Sequence, residues 1–304
     1  MNYKKANWLF ITFFLFEGAM VLGMFLLSRF IHLELGMAEV LFLTECFFWI
    51  PCVIFLVATK TNPITFLRFK KIKISTVFKV VLYTLLLFPV TSFLNSLTLL
   101  FTDNALMEIS TEVLAMPFVI TFLLMAVYGP FVEEIAFRGM LFHSYKKSGN
   151  TIKAILLSSF LFGLAHLNVN QFAYALVIGL FMALLVEATG SIWSSILFHI
   201  IFNGISIVNL YLTQGLLSQE YMSESQALLE QKGTLFAMIS LLAVITMVCI
   251  PLIFCVLVWI AKGEGYTDTL RKLKPEFQAV KVKLVTIPLI IVIIAGIGYM
   301  IYYL

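Results

Sequence analysis

A chain of 304 residues that is 62% hydrophobic and only 12% charged has about half the charge density of a soluble domain, in which about 25% of residues are charged. Its formal net charge is +4, and the basic residues lie in short clusters between apolar stretches, which gives no case for nucleic-acid binding. The four cysteines, Cys46, Cys52, Cys249 and Cys255, all fall in apolar segments with a spacing of six inside each pair, so no CxxC site exists and they read as free thiols between helices.

Successive runs of twenty or more mostly apolar residues predict an all-α polytopic membrane protein of about nine transmembrane helices. Lys4 and Lys5 precede an apolar run that is too long for a signal-peptide core and has no small-residue cleavage site, so the first span, about Trp8 to Leu27, is expected to be retained. Span two runs from about Met37 to Ala58; Glu17 and Glu45 fall inside these two spans with no assigned role. A basic connector, Lys60 to Lys79, mixes Arg68, Lys70, Lys71 and Lys73 with apolar residues, as an interfacial segment against anionic headgroups would. Span three, about Val80 to Phe101, carries Pro89, an expected kink, and an acidic loop from Thr102 to Glu112 follows.

Span four begins near Pro117 and runs through Glu133 towards His143, closed by Lys146 and Lys147. Span five covers Thr151 to Leu167, span six Gln171 to Ala188, and after a Thr189-Gly190-Ser191 turn span seven covers Ile192 to Leu212. Residues 213–233 are read as an external loop, span eight as Thr234 to Ala261, and span nine as Leu284 to Leu304 after a basic stretch from Lys262 to Lys283. Four blocks result: N-terminal helices over 1–111, a helical core over 112–212, the loop over 213–233 and C-terminal helices over 234–304. Lysine and arginine asymmetry predicts a cytoplasmic N-terminus and an external C-terminus. His32 and His143, near span ends, read as interfacial. Glu187, near the end of span six, is expected to reach headgroups or pair with a neighbour.

Within span four, Val132 to Gly139 holds Glu133, Glu134 and Arg138 in an apolar run. An ionisable side chain at bilayer depth usually faces a protein interior and serves function. Glu134 and Arg138 are four apart with the acid first, the favourable order for a pair on one helix face, whereas Glu133 lies about 100° round the helix and is free for chemistry. These residues alone fit either a packing cluster or a reactive site. His166, four after Phe162, and His199, four before Asn203, add an imidazole to each of two neighbouring spans. Straight helices rising about 1.5 Å per residue would bring Glu133, His166, His199 and Asn203 to overlapping depth, in a shared intramembrane cavity. Tyr128, Gly129 and Pro130, just before the acids, are expected to distort the helix and admit water.

This set fits peptide hydrolysis. A carboxylate with an imidazole can hold a water and take its proton, while His199 and Asn203 can donate hydrogen bonds to an oxyanion. A metal variant would use Glu133, His166 and His199 as zinc ligands with an open fourth position, but there is no HExxH motif and Asn203 is a poor zinc ligand. Metal-free glutamate chemistry is therefore the expectation.

Glu133-Glu134-x-x-x-Arg138, Phe162-x-x-x-His166 and His199-x-x-x-Asn203, with Thr189-Gly190-Ser191-Ile192-Trp193 before the last, resemble the three motifs of the CAAX protease and bacteriocin-processing family of intramembrane proteases. The resemblance covers about Pro117 to Ile207, the family's four-helix catalytic core. It implies Glu133 as general base with His166 on the hydrolytic water, Glu134 and Arg138 as organisers, and His199 with Asn203 as oxyanion hole. It implies a membrane-bound or lipidated, CAAX-like peptide as substrate. A non-proteolytic bacteriocin-immunity or membrane-scaffolding protein of the same fold is the alternative. The expected setting is a prokaryotic plasma membrane.

Overall fold

The computed structural model describes residues 2–32, 35–102, 109–148, 150–216, 232–273 and 283–304. The described residues are helical and contain no strand. We number the helices α1 (Tyr3–Leu26), α2 (Met37–Ala58), α3 (Pro63–Phe66), α4 (Ile74–Thr98), α5 (Ser110–Ala115), α6 (the continuous span Phe118–Lys146), α7 (Thr151–Leu164), α8 (Val169–Thr189), α9 (Ile192–Leu216), α10 (Lys232–Glu264), α11 (Thr267–Arg271) and α12 (Ile287–Tyr302).

The protein is a polytopic α-helical membrane protein. Among the described residues seven helices are long and apolar enough to cross a bilayer, namely α1 with its continuation to Ile31, α2, α4, α6, α8, α9 and α10. The other two expected spans are present as shorter apolar helices. The helix α7 has 14 residues and α12 has 16, about 21 and 24 Å at 1.5 Å per residue, against a hydrocarbon core of about 30 Å. Most of the acidic loop (residues 103–108), most of the loop expected over 213–233, and residues 274–282 of the basic stretch lie outside the described residues.

Local sequence accounts for the helix ends. Asn2, Asn62, Asn150 and Asn168 each accept a backbone N–H in the first turn of α1, α3, α7 and α8, satisfying donors that the helix itself leaves open. The helix α8 stops at Gly190, whose φ of 66° lies in the left-handed region, and a Cβ there would overlap Tyr266. That turn reverses the chain into α9. The start of α9 is held from outside: the Arg68 carbonyl accepts the Ile192 N–H at 3.2 Å, and the Lys70 carbonyl accepts the Ser191 hydroxyl.

The basic connector is therefore more than an interfacial strip. Phe66 and Leu67 are buried in the core, while Lys70 reaches the Tyr266 hydroxyl and the Lys73 N–H donates to Glu264 at 2.9 Å. Its basic side chains stay largely exposed, but its backbone ties α9 to the end of α10. On the same face Asn7, fully buried, joins three helices: it accepts from the Tyr145 hydroxyl of α6 at 2.8 Å and donates to Leu284 and Thr286 before α12.

Two of the blander readings are revised. His143 is buried in the last turn of α6, with Nδ1 3.0 Å from the Gly139 carbonyl, whereas His32 is exposed as expected. Among the cysteines, all free, Cys255 is exposed rather than lodged between helices. Glu187 pairs with Lys146 at 2.5 Å.

Gly190→Ala is expected to cost about 1–3 kcal/mol, because any other residue pays for a left-handed backbone and here also displaces Tyr266. A lowered melting temperature of the purified protein in detergent checks this. An unchanged Tm would mean that the turn and Tyr266 both yield freely.

Candidate active site

The helix α6 is not uniform. Its regular turns at Phe118–Thr121, Gly129–Glu134 and His143–Lys146 alternate with wider π-helical stretches at Phe122–Tyr128 and Ile135–Phe142. Pro130 supplies one cause: it has no N–H and its ring crowds the carbonyl four residues back, so the turn before it opens, and the Gly129 N–H bonds five residues back to Leu124. The expected distortion at Tyr128-Gly129-Pro130 is thus present. It leaves Glu133 and Glu134 on one regular turn between two widened ones.

The two acids diverge as the helix geometry predicts. Arg138 Nη1 donates to Glu134 Oε1 at 2.7 Å, and both side chains are almost wholly shielded. The guanidinium lies over the Phe162 ring of α7, 4.0 Å from its centroid, a cation–π contact in a dry setting. The same Glu134 oxygen stands 3.2 Å from His199 Nδ1 of α9. In its ion pair with Arg138 the carboxylate only accepts, so Nδ1 carries the proton and His199 Nε2 turns to the other acid, 3.8 Å from Glu133 Oε2. Glu133 keeps 23% of its side chain exposed against none for Glu134, so Glu133 is the more accessible of the two acids.

The turn after α7 carries His166. Its Nδ1 lies 2.9 Å from the Phe162 carbonyl, which can only accept, so Nε2 presents a lone pair. Both imidazoles flank the Phe162 ring, His166 with a centroid separation of 5.0 Å and His199 of 5.9 Å. Because α7 is short, its end comes to the level of the site. No hydrogen bond or ion pair joins His166 to Glu133 among the described residues. Asn203, one turn after His199, donates to the Met125 carbonyl at 3.0 Å, a carbonyl in the first π-helical stretch of α6. Glu133, Glu134, Arg138, His199 and His166 therefore share one locus, with Asn203 on its edge held against α6.

One neighbour had no assigned role in the sequence. Glu45 of α2 points at the same turn of α6: its Oε1 is 3.0 Å from where a Cβ on Gly129 would stand, four residues before Glu133. Oε2 of Glu45 and Oε2 of Glu133 are each buried with no hydrogen-bond partner among the described residues. The available signal was an acid inside an apolar span; nothing in the sequence said which span it faced. For the zinc alternative, among the described residues no group of three or more His, Cys, Asp or Glu side chains is spaced to hold a metal ion.

Buried carboxylates, an arginine and imidazoles meeting inside a helical bundle define a membrane protein with an enclosed polar site of the kind that supports acid–base chemistry. Residues 115–205 match the family described as type II CAAX prenyl endopeptidase, Rce1-like, and the resemblance read from the three motifs is borne out over that segment. The chain is also 30% identical over 83 residues to a Bacillus subtilis (strain 168) protein named "Putative membrane peptidase YdiL". That match covers 27% of this chain and 34% of the relative, so the chain spans about a third of the curated relative's length. No solved structure matches the chain.

Breaking the central pair should be costly, since Arg138→Ala leaves a buried carboxylate uncompensated, worth about 3–5 kcal/mol. The double variant Arg138→Ala/Glu134→Ala should recover part of that loss. A double-mutant cycle on unfolding free energy in detergent checks it, and strictly additive losses would contradict the pairing.

Proposed function

We propose that this protein is an intramembrane endopeptidase that hydrolyses a peptide bond in a membrane-bound or lipidated, CAAX-like peptide. The observation that carries the reading is His199, whose two ring nitrogens face the two acids. The family match over the same residues and the named peptidase relative support it. We place the protein in a prokaryotic plasma membrane with its N-terminus in the cytoplasm.

In this mechanism a water lies between Glu133 and His166. Glu133 takes a proton from it as its oxygen attacks the scissile carbonyl, so a C–O bond forms and the carbonyl oxygen becomes an oxyanion. His199 in its protonated form donates from Nε2 to that oxyanion, while Glu134 receives the Nδ1 proton's hydrogen bond and stabilises the imidazolium. Before the attack, ionised Glu133 and Glu134 with Arg138 and protonated His199 sum to zero charge, and after it the oxyanion replaces the charge that Glu133 has lost, which suits a site removed from water. The carboxamide of Asn203, oriented by Met125, has a second N–H for the oxyanion. Collapse breaks the C–N bond, and the proton held by Glu133 passes to the leaving amine. Arg138 fixes Glu134 and touches no substrate. The reaction is proposed to be glutamate-dependent and to need no resident metal.

The test is cleavage of a farnesylated CAAX peptide by the purified protein. Glu133→Gln should lower kcat by about 10²–10⁴ and His199→Ala by about 10²–10³, with Tm retained for Glu133→Gln. Activity should survive a chelator. Loss with the chelator and return with zinc would overturn the metal-free chemistry, and full activity in Glu133→Gln would overturn the assignment of the base. If the wild type cleaves neither this peptide nor other lipidated or membrane peptides, the peptidase reading falls to a protective or scaffolding role.

A further inference from the structure

A second polar site lies away from the acids, on the face that carries Lys5, Lys60 and Lys147. A cavity of about 630 Å³ opens there between the start of α1, the connector after α2 and the end of α6. In a chain that is 62% hydrophobic, every described residue lining it bears a hydroxyl, an amide or an ammonium group, and none is acidic. Three independent features give it one electrostatic sense.

The first is a pair of lysines without counter-charges. Adjacent Lys146 and Lys147 are used differently: Lys146 is neutralised by Glu187 at 2.5 Å, whereas Lys147 lines the cavity and lies over the Phe66 ring at 4.8 Å. Neither Lys147 nor Lys5, across the cavity, forms an ion pair among the described residues. The second is Ser144. Its side chain is fully buried, its Oγ has no hydrogen-bond partner among the described residues, and it belongs to the cavity wall. A buried hydroxyl left unsatisfied is costly, and a ligand oxygen arriving there would remove that cost.

The third is the N-terminus of α1, a 24-residue helix. Asn2 takes the Lys5 N–H with its side chain and the Ala6 N–H with its carbonyl. The N–H groups of Tyr3 and Lys4 precede the first intrahelical acceptor, and the helix presents its positive end beside the cavity.

We propose that this cavity binds a phosphate group, with Lys5 and Lys147 supplying charge, Ser144 donating a hydrogen bond from the wall and the first turn of α1 closing the anion site. Lysine acts here as a point charge on phosphate, which needs no bidentate geometry. The phosphate can come from an anionic phospholipid headgroup or from a soluble phosphate, and both are met by the same donors. The site is independent of the peptidase reading.

The test uses the full-length protein in neutral detergent and follows its Tm during titration with dioctanoyl phosphatidylglycerol, dioctanoylglycerol or inorganic phosphate. The phospholipid should stabilise saturably and dioctanoylglycerol, which lacks phosphate, should not. Lys5→Gln/Lys147→Gln should raise the half-saturating concentration by about ten-fold or more without lowering the unliganded Tm, given the usual strength of hydrogen bonds to charged groups. Ser144→Ala should weaken binding while leaving the unliganded Tm unchanged or higher. Lys262→Gln/Lys272→Gln, basic residues outside the cavity, should change nothing. A saturable shift by inorganic phosphate, lost in Lys5→Gln/Lys147→Gln, upholds the site and assigns a soluble ligand. No shift with either phosphate compound, or an equal loss in the control pair, overturns it.

Discussion

A single oxygen, Oε1 of Glu134, receives hydrogen bonds from both Arg138 and His199. Removing a carboxylate and a guanidinium from water costs several kcal/mol per ion, a penalty recovered only when the pair is in contact and its remaining polar atoms are served. The neighbouring helices meet that demand in part, while Glu134 Oε2 and Arg138 Nη2 stay buried with no hydrogen-bond partner among the described residues. The helix α6 supplies both members of the pair, α9 brings the imidazole, and α7 lays Phe162 over the guanidinium. The pair stays together within α6 whatever the packing, but sliding α9 or α7 by one turn would carry His199 or Phe162 away from it, so these two contacts tie the register of α9 and α7 to α6.

The widened turns of α6 serve the same end. A regular helix would keep its backbone carbonyls engaged, but a π-helical stretch redirects them, and the Met125 carbonyl is met by Asn203 of α9. Pro130 makes the distortion a property of the covalent chain rather than of packing alone. The outcome is a short rigid turn bearing the two acids, with one acid sealed in an ion pair and the other left partly accessible. Helix ends beyond the core are held by peptide groups from elsewhere: the connector from Arg68 to Lys73 serves α9 and meets α10 while its lysine side chains stay exposed.

Several elements were legible because they depend on covalent spacing. Glu134 and Arg138 at four apart had to meet on a helix, the apolar runs had to be helices in a bilayer, and Tyr128-Gly129-Pro130 had to disturb the turn ahead of the acids. Contacts between helices were harder to read. His143 looked interfacial because it sits near a span end, yet it is covered by packing. Glu45 was visible as an acid in an apolar span, but a helix with apolar residues all round gives no sign of which face meets a partner. The length of α7 was also overestimated, since the apolar run to Leu167 continues past the point at Leu164 where the regular helix stops.

By itself, the sequence determined that this is a helical membrane protein and where ionisable residues fall within its apolar segments, because composition and helical spacing act within each segment and need no partner. The tertiary structure alone decided that His199 stands between two acids, that Glu45 joins them and that Lys146 and Lys147 have opposite fates. Those outcomes rest on the rotation and depth at which one helix meets another, and in a chain whose helices are apolar on every side only the balance of a few buried charges distinguishes one arrangement from the next.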